Sequence, residues 1–523
     1  MPWGSPGLIL SASDVQPMTN VLIYVLDGLR ADHVSANGYH RPATPNLDRL
    51  AADSLSLRLP HAFSPATLPA PAVASVLTGC YPSTHGLRGQ DGELAPGVPQ
   101  LPVLLQAAGY HTMGINAGAE PSPPGFSLGF DHFADLSSGG RSSQAASLAD
   151  VRAERVDPVV WAWLDDLART RSRADTGAPC SGQAHAAGRP WFLGLWAHGV
   201  REPFRPAPEF DLWGDRGSRR RLDGSFASLG RSANGAAIQG LMDLYDGAIA
   251  AADARLGLLL DRLVALGLYD DTLIIVTGTH GEAFGEHGDF GHGHLSYEEV
   301  MRVPMVVKFP IAAPICSGVN DSMMDLADVA PTVLDSLGLR PLALGMQGYS
   351  LIPVLRGRQP GRSVAYAETV IPEMGYRLLA VRADRWKYLR SDLPVPSGHG
   401  DQDVAQPVGW RQRLASTWRQ VAGKDSVKQA LRDPAAALRR RRIPREMLFD
   451  LQADPMERRN LLDQDQDVTH EMRAMLEAWL AECRVYADLN SQRMETSGQA
   501  GSKLGQPQDI GLPVAGEDGQ RTT

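Results

Sequence analysis

The sequence predicts an α/β fold: a large mixed sheet flanked by helices, followed by a smaller C-terminal α/β subdomain. Three observations carry this. Short apolar, β-branched runs alternate with longer helical patterns through about residue 340, the signature of a sheet covered on both faces. The first run, Asn20 to Leu26, leads directly into Asp27 and Gly28, which puts a carboxylate at the carboxyl end of a strand, where open α/β sheets bind ligands. From about residue 366 a second region reads as a smaller α/β domain, containing the stretches Tyr376 to Tyr388 and Leu448 to Leu461.

Along the chain, residues 1–18 read as an N-terminal extension. They lack the basic flank and long apolar segment of an export signal, so a cytoplasmic location is expected. Residues 19–365 form the large domain. Within it Trp191 to Trp196 and Thr272 to Thr277 read as further strands, and Ile238 to Leu268 as a helix. That helix has apolar residues at helical spacing (Leu256, Leu259, Leu260, Leu263) and Gly267 as its stop. Ser137 to Asp150 and Thr176 to Gly188, rich in Gly, Ser and Ala, read as surface loops. Residues 366–490 make the second subdomain. It is interrupted by a basic insert at 410–445 ending in Arg439 to Arg442, a solvated face or a contact for an acidic partner. The tail, 491–523, is polar and expected to be disordered.

Composition narrows the function classes. With 43% hydrophobic and 21% charged residues the chain is an ordinary globular protein. A net charge of -9 argues against nucleic acid as a partner, and no apolar run is long enough for a transmembrane segment. Cys80, Cys180, Cys316 and Cys483 lie far apart, without zinc spacing or a disulfide framework.

A series of short motifs follows the first strand in a fixed order. They are Thr44 to Asp48, Leu77-Thr78-Gly79, Gly109 to Thr112, Gly129 to Phe133, His280-Gly281-Glu282, Glu286-His287-Gly288, Gly291-His292-Gly293, Tyr297-Glu298-Glu299, Arg302 to Pro304, Asp328 to Thr332, and Leu448 to Leu461 with its Asp454-Pro455 and Glu457. In this order the chain resembles the sulfatases of the alkaline phosphatase superfamily. The resemblance spans Thr19 to about Cys483. It implies the alkaline-phosphatase-like sulfatase fold and, as function, hydrolysis of sulfuric or phosphoric esters on a small anionic substrate.

That chemistry needs a nucleophile at a helix start, a divalent metal (Ca or Mg) held by carboxylates, and basic groups for the leaving oxygen. By resemblance Asp27 and His280 are the metal ligands, and His292 is the group that protonates the leaving oxygen. Several positions depart from the pattern. The second aspartate of the first metal motif is Gly28, and the late Asp before the histidine is Thr279. Metal binding is therefore expected to be weak, unless Glu282 or Asp289 moves in. The nucleophile frame reads Pro69-Ala70-Pro71-Ala72-Val73, with no cysteine to convert, so no formylglycine is expected. Thr67, in a slipped Thr67-Leu68-Pro69 frame, is the remaining candidate nucleophile. Arg201 stands where the family has a histidine before Pro203; it can grip an anion but cannot donate a proton at ordinary pH. His198 is nearby in sequence. Two readings stay open: an ester hydrolase using Thr67, His292 and Arg201, or a catalytically inactive pseudoenzyme of the same fold that binds an anion or a partner.

Overall fold

The computed structural model describes residues 19–89, 92–118, 120–137, 148–176, 188–197, 200–215, 222–229, 234–288, 290–294, 296–313, 317–371, 376–392 and 445–497. The strand Asn20–Leu26 lies in the middle of an eight-stranded sheet, fully buried along its length. It pairs in parallel with Trp191–Ala197 on one side and Thr272–Gly278 on the other. His111–Ala117 and His132–Asp135 extend the parallel part. Met305–Lys308 closes the other side antiparallel, followed by Ser56–Arg58 and Gly318–Val319. The sheet is therefore mixed, with its parallel half around the first strand.

The two-residue period of the strand sorts its side chains between two cores. Leu22, Tyr24 and Leu26 pack on one face against the helices Gly235–Ala265 and Leu148–Thr176. Val21, Ile23 and Val25 pack on the other against the helices Pro69–Thr78 and Val329–Ser336. A strand buried on both faces reads as a continuous apolar run, as Asn20 to Leu26 does.

A second sheet of four antiparallel strands, Val364–Ile371, Tyr376–Ala383, Trp386–Asp392 and Glu446–Asp450, packs against the long helix Gln466–Ser497. Hydrogen bonds such as Glu368 N–H to the Pro65 carbonyl (2.9 Å) join it to the loop before the helix Pro69–Thr78.

Element bounds are revised. Residues 148–150 open the helix Leu148–Thr176 rather than ending a loop. Residues 491–497 continue the final helix instead of belonging to the tail. Strands Trp191–Ala197 and Thr272–Gly278 each run one residue further than read, and the helix read as Ile238 to Leu268 is Gly235–Ala265. The basic insert up to residue 444 and the rest of the tail lie outside the described residues, as do His198, Asp289, Cys180 and Cys316. Cys80 and Cys483 are buried free thiols. No helix among the described residues is long and apolar enough to cross a membrane.

Candidate functional site

Asp27 follows the central strand, and its neighbours come from the ends of the two adjoining strands. Thr279, just after Thr272–Gly278, donates its hydroxyl to Asp27 Oδ1 at 2.9 Å. His280 Nε2 lies 3.2 Å from the same oxygen. Arg201, beyond Trp191–Ala197, places Nη1 3.6 Å from Asp27 Oδ2. Burial opposes ionisation of Asp27, but Arg201 and then His280 hold it well below the usual carboxylate range. Asp27 is thus an ionised carboxylate with an internal countercharge.

Gly28 explains one departure from the family pattern. Its φ is 76°, and a Cβ there would stand 2.6 Å from the Val200 carbonyl oxygen. The backbone leaves no room for the second aspartate. The Tyr245 hydroxyl fixes this turn, donating to the Gly28 carbonyl at 2.8 Å while accepting from the Arg30 amide at 3.0 Å.

A second pair stands beside the first. His292 stacks on His280, ring centroids 4.2 Å apart, and its Nδ1 is 2.9 Å from Glu282 Oε1. Burial pushes Glu282 up to about 8 and His292 down to about 3. Burial thus disfavours charge on both partners of this contact, and among the described residues Glu282 Oε2 is left without a hydrogen-bond partner.

Asp27, Thr279 and Arg201 line a cavity whose remaining wall is largely apolar: Val25, Pro69, Val73, Phe126 and Trp196 among others. Asn116, at the end of the parallel strand His111–Ala117, shapes its rim. Its side chain accepts from the Gly118 amide (2.8 Å) and donates to the Glu120 carbonyl (3.0 Å).

The structure brings Asp27, His280, Arg201 and His292 into one cluster, and it places Thr67 elsewhere. Thr67 is fully buried, its hydroxyl 2.5 Å from that of Thr369 on the second sheet, and it is absent from the cavity wall. What faces the cavity is the start of the helix Pro69–Thr78, with Pro69 and Ala70. Two of its first three residues are prolines, so that end has lost two of the amide donors that make helix starts attractive to anions. Its loop turns the hydroxyl toward Thr369 and the second sheet, so of the two readings the sequence left open the nucleophile role has no cavity-facing hydroxyl at Thr67.

The donor set does not fit a tightly held Ca²⁺ or Mg²⁺. Such ions take six or more oxygen ligands, carboxylates among them. Among the described residues the carboxylate at this point is Asp27, already paired with Arg201, and Thr279 supplies a neutral hydroxyl. His280 Nδ1 faces the Gly281 carbonyl at 2.7 Å, leaving Nε2 toward Asp27 without a hydrogen bond.

Sequence reasoning missed the Thr279 hydroxyl as a clamp on Asp27, the pairing of Glu282 with His292, and Asn116. The last was open to detection, because Asn116 closes a parallel strand on the same edge of the sheet as Asp27.

Comparison with known proteins agrees with this architecture. The sulfatase family model matches residues 19–339, more than half of the chain. The N-acetylglucosamine-6-O-sulfatase of Bacteroides thetaiotaomicron is 25% identical over 429 residues, covering 66% of this chain and 73% of the relative. The phosphonate monoester hydrolase of Agrobacterium radiobacter superposes with a TM-score of 0.59 at 18% identity, over 90% of this chain and 96% of that one. A protein solved with its substrate D-glucosamine-2-N,6-O-disulfate superposes with a TM-score of 0.58 at 18% identity, over 90% and 99%. These two share the fold. With the motif order, the strand-end cluster and the family match together, this chain belongs to the sulfatase family.

Proposed function

We propose that the cleft binds a small sulfate or phosphate ester, and that this chain does not turn it over by the family's covalent route. The observation that carries this reading is the helix start at the cavity, which presents Pro69 and Ala70 in place of a hydroxyl or thiol. Proline and alanine have no atom that can attack sulfur or phosphorus. Arg201 is the cationic side chain on the cavity wall, and a guanidinium matches the oxygens of a sulfate or phosphate group. The apolar wall of Trp196, Phe126 and Val73 suits the body of the ester, an aryl or sugar ring.

A hydrolase reading rests on the His292–Glu282 contact, an imidazole beside a carboxyl, which is the composition of a proton relay. Among the described residues lining the cavity, no hydroxyl or thiol stands at the helix start to accept the transferring group.

The test is binding and turnover side by side on the whole protein, with glucosamine 6-sulfate, p-nitrophenyl sulfate and p-nitrophenyl phosphate as probes and Mg²⁺, Ca²⁺, Mn²⁺ or Zn²⁺ supplied. Salt-sensitive binding is expected, weakened roughly tenfold or more in Arg201→Met by loss of a charged hydrogen bond and largely kept in Arg201→Lys, with no release of sulfate or phosphate. Catalytic release that disappears in His292→Ala would establish the hydrolase reading instead.

A further inference from the structure

A second cluster lies away from Asp27, where the loop after His280 meets the second sheet. His287, Glu299 and Glu457 each bring one ligand-type atom to within 4.8 Å of the others. His287 is held in place by stacking on Tyr297, centroids 3.6 Å apart and planes 10° from parallel. Its Nε2 is 3.7 Å from Glu299 Oε1. Glu457 enters from the segment after the strand Glu446–Asp450, with φ 51°, a left-handed conformation that no other non-glycine among the described residues adopts.

The charges there do not balance. Lys387, fully buried, is shared by Glu298 (3.1 Å) and Glu457 (2.9 Å). Arg382 stands 3.7 Å from the other oxygen of Glu298, and Arg30 is committed to Asp32 and Glu286. Glu457 Oε2 accepts the Glu298 amide at 2.7 Å. Glu299 is left over. Its side chain is 8% exposed, and among the described residues its Oε1 is buried with no hydrogen-bond partner and has the His287 ring at ion-pair distance. An isolated buried carboxylate is costly, and a cation at this point would offset it.

We propose that His287, Glu299 and Glu457 bind a divalent transition-metal ion, Zn²⁺ or Mn²⁺ in class, at the joint between the two sheets. One imidazole with two carboxylates is a ligand set for such borderline ions, whereas Ca²⁺ and Mg²⁺ prefer oxygen alone. Ligands about 2.1 Å from one Zn²⁺ lie at most about 4.2 Å apart, so side-chain shifts of a few tenths of an ångström close the site. His287 comes from the loop that also carries His292, Glu299 from the short helix Glu298–Met301 that follows it, and Glu457 from the segment after the last strand of the second sheet. The ion would therefore pin the wall behind the cleft to the C-terminal subdomain, independently of what the cleft binds.

The experiment uses the full chain, stripped of metal with a chelator and titrated with Zn²⁺, Mn²⁺, Mg²⁺ and Ca²⁺ by calorimetry and thermal unfolding. Asp27→Asn serves as the background that disables the cleft. One equivalent of Zn²⁺ or Mn²⁺ should bind and raise Tm in both the native and the Asp27→Asn proteins. Glu299→Gln and His287→Gln should each lose at least about tenfold in affinity, the scale on which metal sites respond to altered support. Should those variants fail to fold, the visible spectrum of Co²⁺ added to Asp27→Asn decides without them. A spectrum distinct from the aqua ion supports the site, and an unchanged one overturns it. Absence of binding by the native protein, or binding abolished by Asp27→Asn alone, would also overturn it.

Discussion

The stem of Arg201 lies against Gly28, where an added Cβ would be 3.7 Å from Arg201 Cγ, and its guanidinium reaches Asp27 with Nη1 3.6 Å from Oδ2. A tethered side chain thus supplies the positive charge that this carboxylate would otherwise take from solution. Removing it should leave Asp27 buried and uncompensated. Arg201→Met is expected to lose about 3 kcal/mol of stability, the scale for breaking a buried pair from one side. Most of that should return in Arg201→Met with Asp27→Asn. Urea unfolding of the two single variants and the double variant measures the coupling; simple additivity would show that the pair carries no such role.

Thr279 bears on the same charge. Its hydroxyl donates to Asp27 Oδ1 at 2.9 Å, so Thr279→Asp sets two carboxylates against each other. The variant should unfold at a lower temperature than the native protein in chelator and recover when Mg²⁺ or Ca²⁺ is added, because a second carboxylate completes a harder oxygen site. Thermal scans with and without the ions check this. An ion-independent Tm would refute it.

Thr67 separates structure from catalysis. Thr67→Val removes a buried hydroxyl bonded to Thr369 and should cost about 1 kcal/mol. Ligand affinity and any turnover should stay at their native values. A selective loss of turnover, at unchanged stability, would return Thr67 to the chemistry.

His85 should shape the acid limb of stability. It is fully buried, with Nε2 3.1 Å from the Ser75 hydroxyl, and burial pushes it down to about 3. The unfolded chain takes up this proton near pH 6.5 and the folded chain only near 3. Stability is therefore complete above about 6.5 and falls as pH drops toward 3, by up to about 1.4 kcal/mol per pH unit for one proton. His85→Gln, which cannot titrate, should flatten that part of the curve. Denaturant unfolding between pH 4 and 7 gives the slope, and identical slopes for the two proteins would exclude His85 as a source.

The strand Asn20–Leu26, its Asp27 and the neighbouring His280 were legible because a buried parallel strand writes itself as an unbroken apolar run with its polar residue at the carboxyl end. Where the Thr67 hydroxyl points was left open by the sequence, since that depends on how Leu68 and Pro69 enter the helix. The Glu282–His292 contact closes across a tight two-stranded turn, Ala283–Phe284 with Phe290–Gly291, and spacing alone does not reveal it. Glu299 and Glu457 meet only through the packing of two sheets. The helix start at 148 sits at the end of a run of Gly, Ser and Ala, and residues 491–497 hold one apolar side chain, Met494, so neither boundary was written in the periodicity.

Backbone ladders, not side chains, hold the floor of the cleft: Leu26 is in register with Ala197 on one side and Gly278 on the other. The ladder keeps its register whatever side chains follow it, so exchanges at Asp27, Thr279 or Arg201 act on stability through the buried charge they leave behind and not through the strand pairing. The chemistry at this rim can therefore change on the same sheet frame when the paired charges are exchanged together. The same property makes these positions the natural places to graft a new active site.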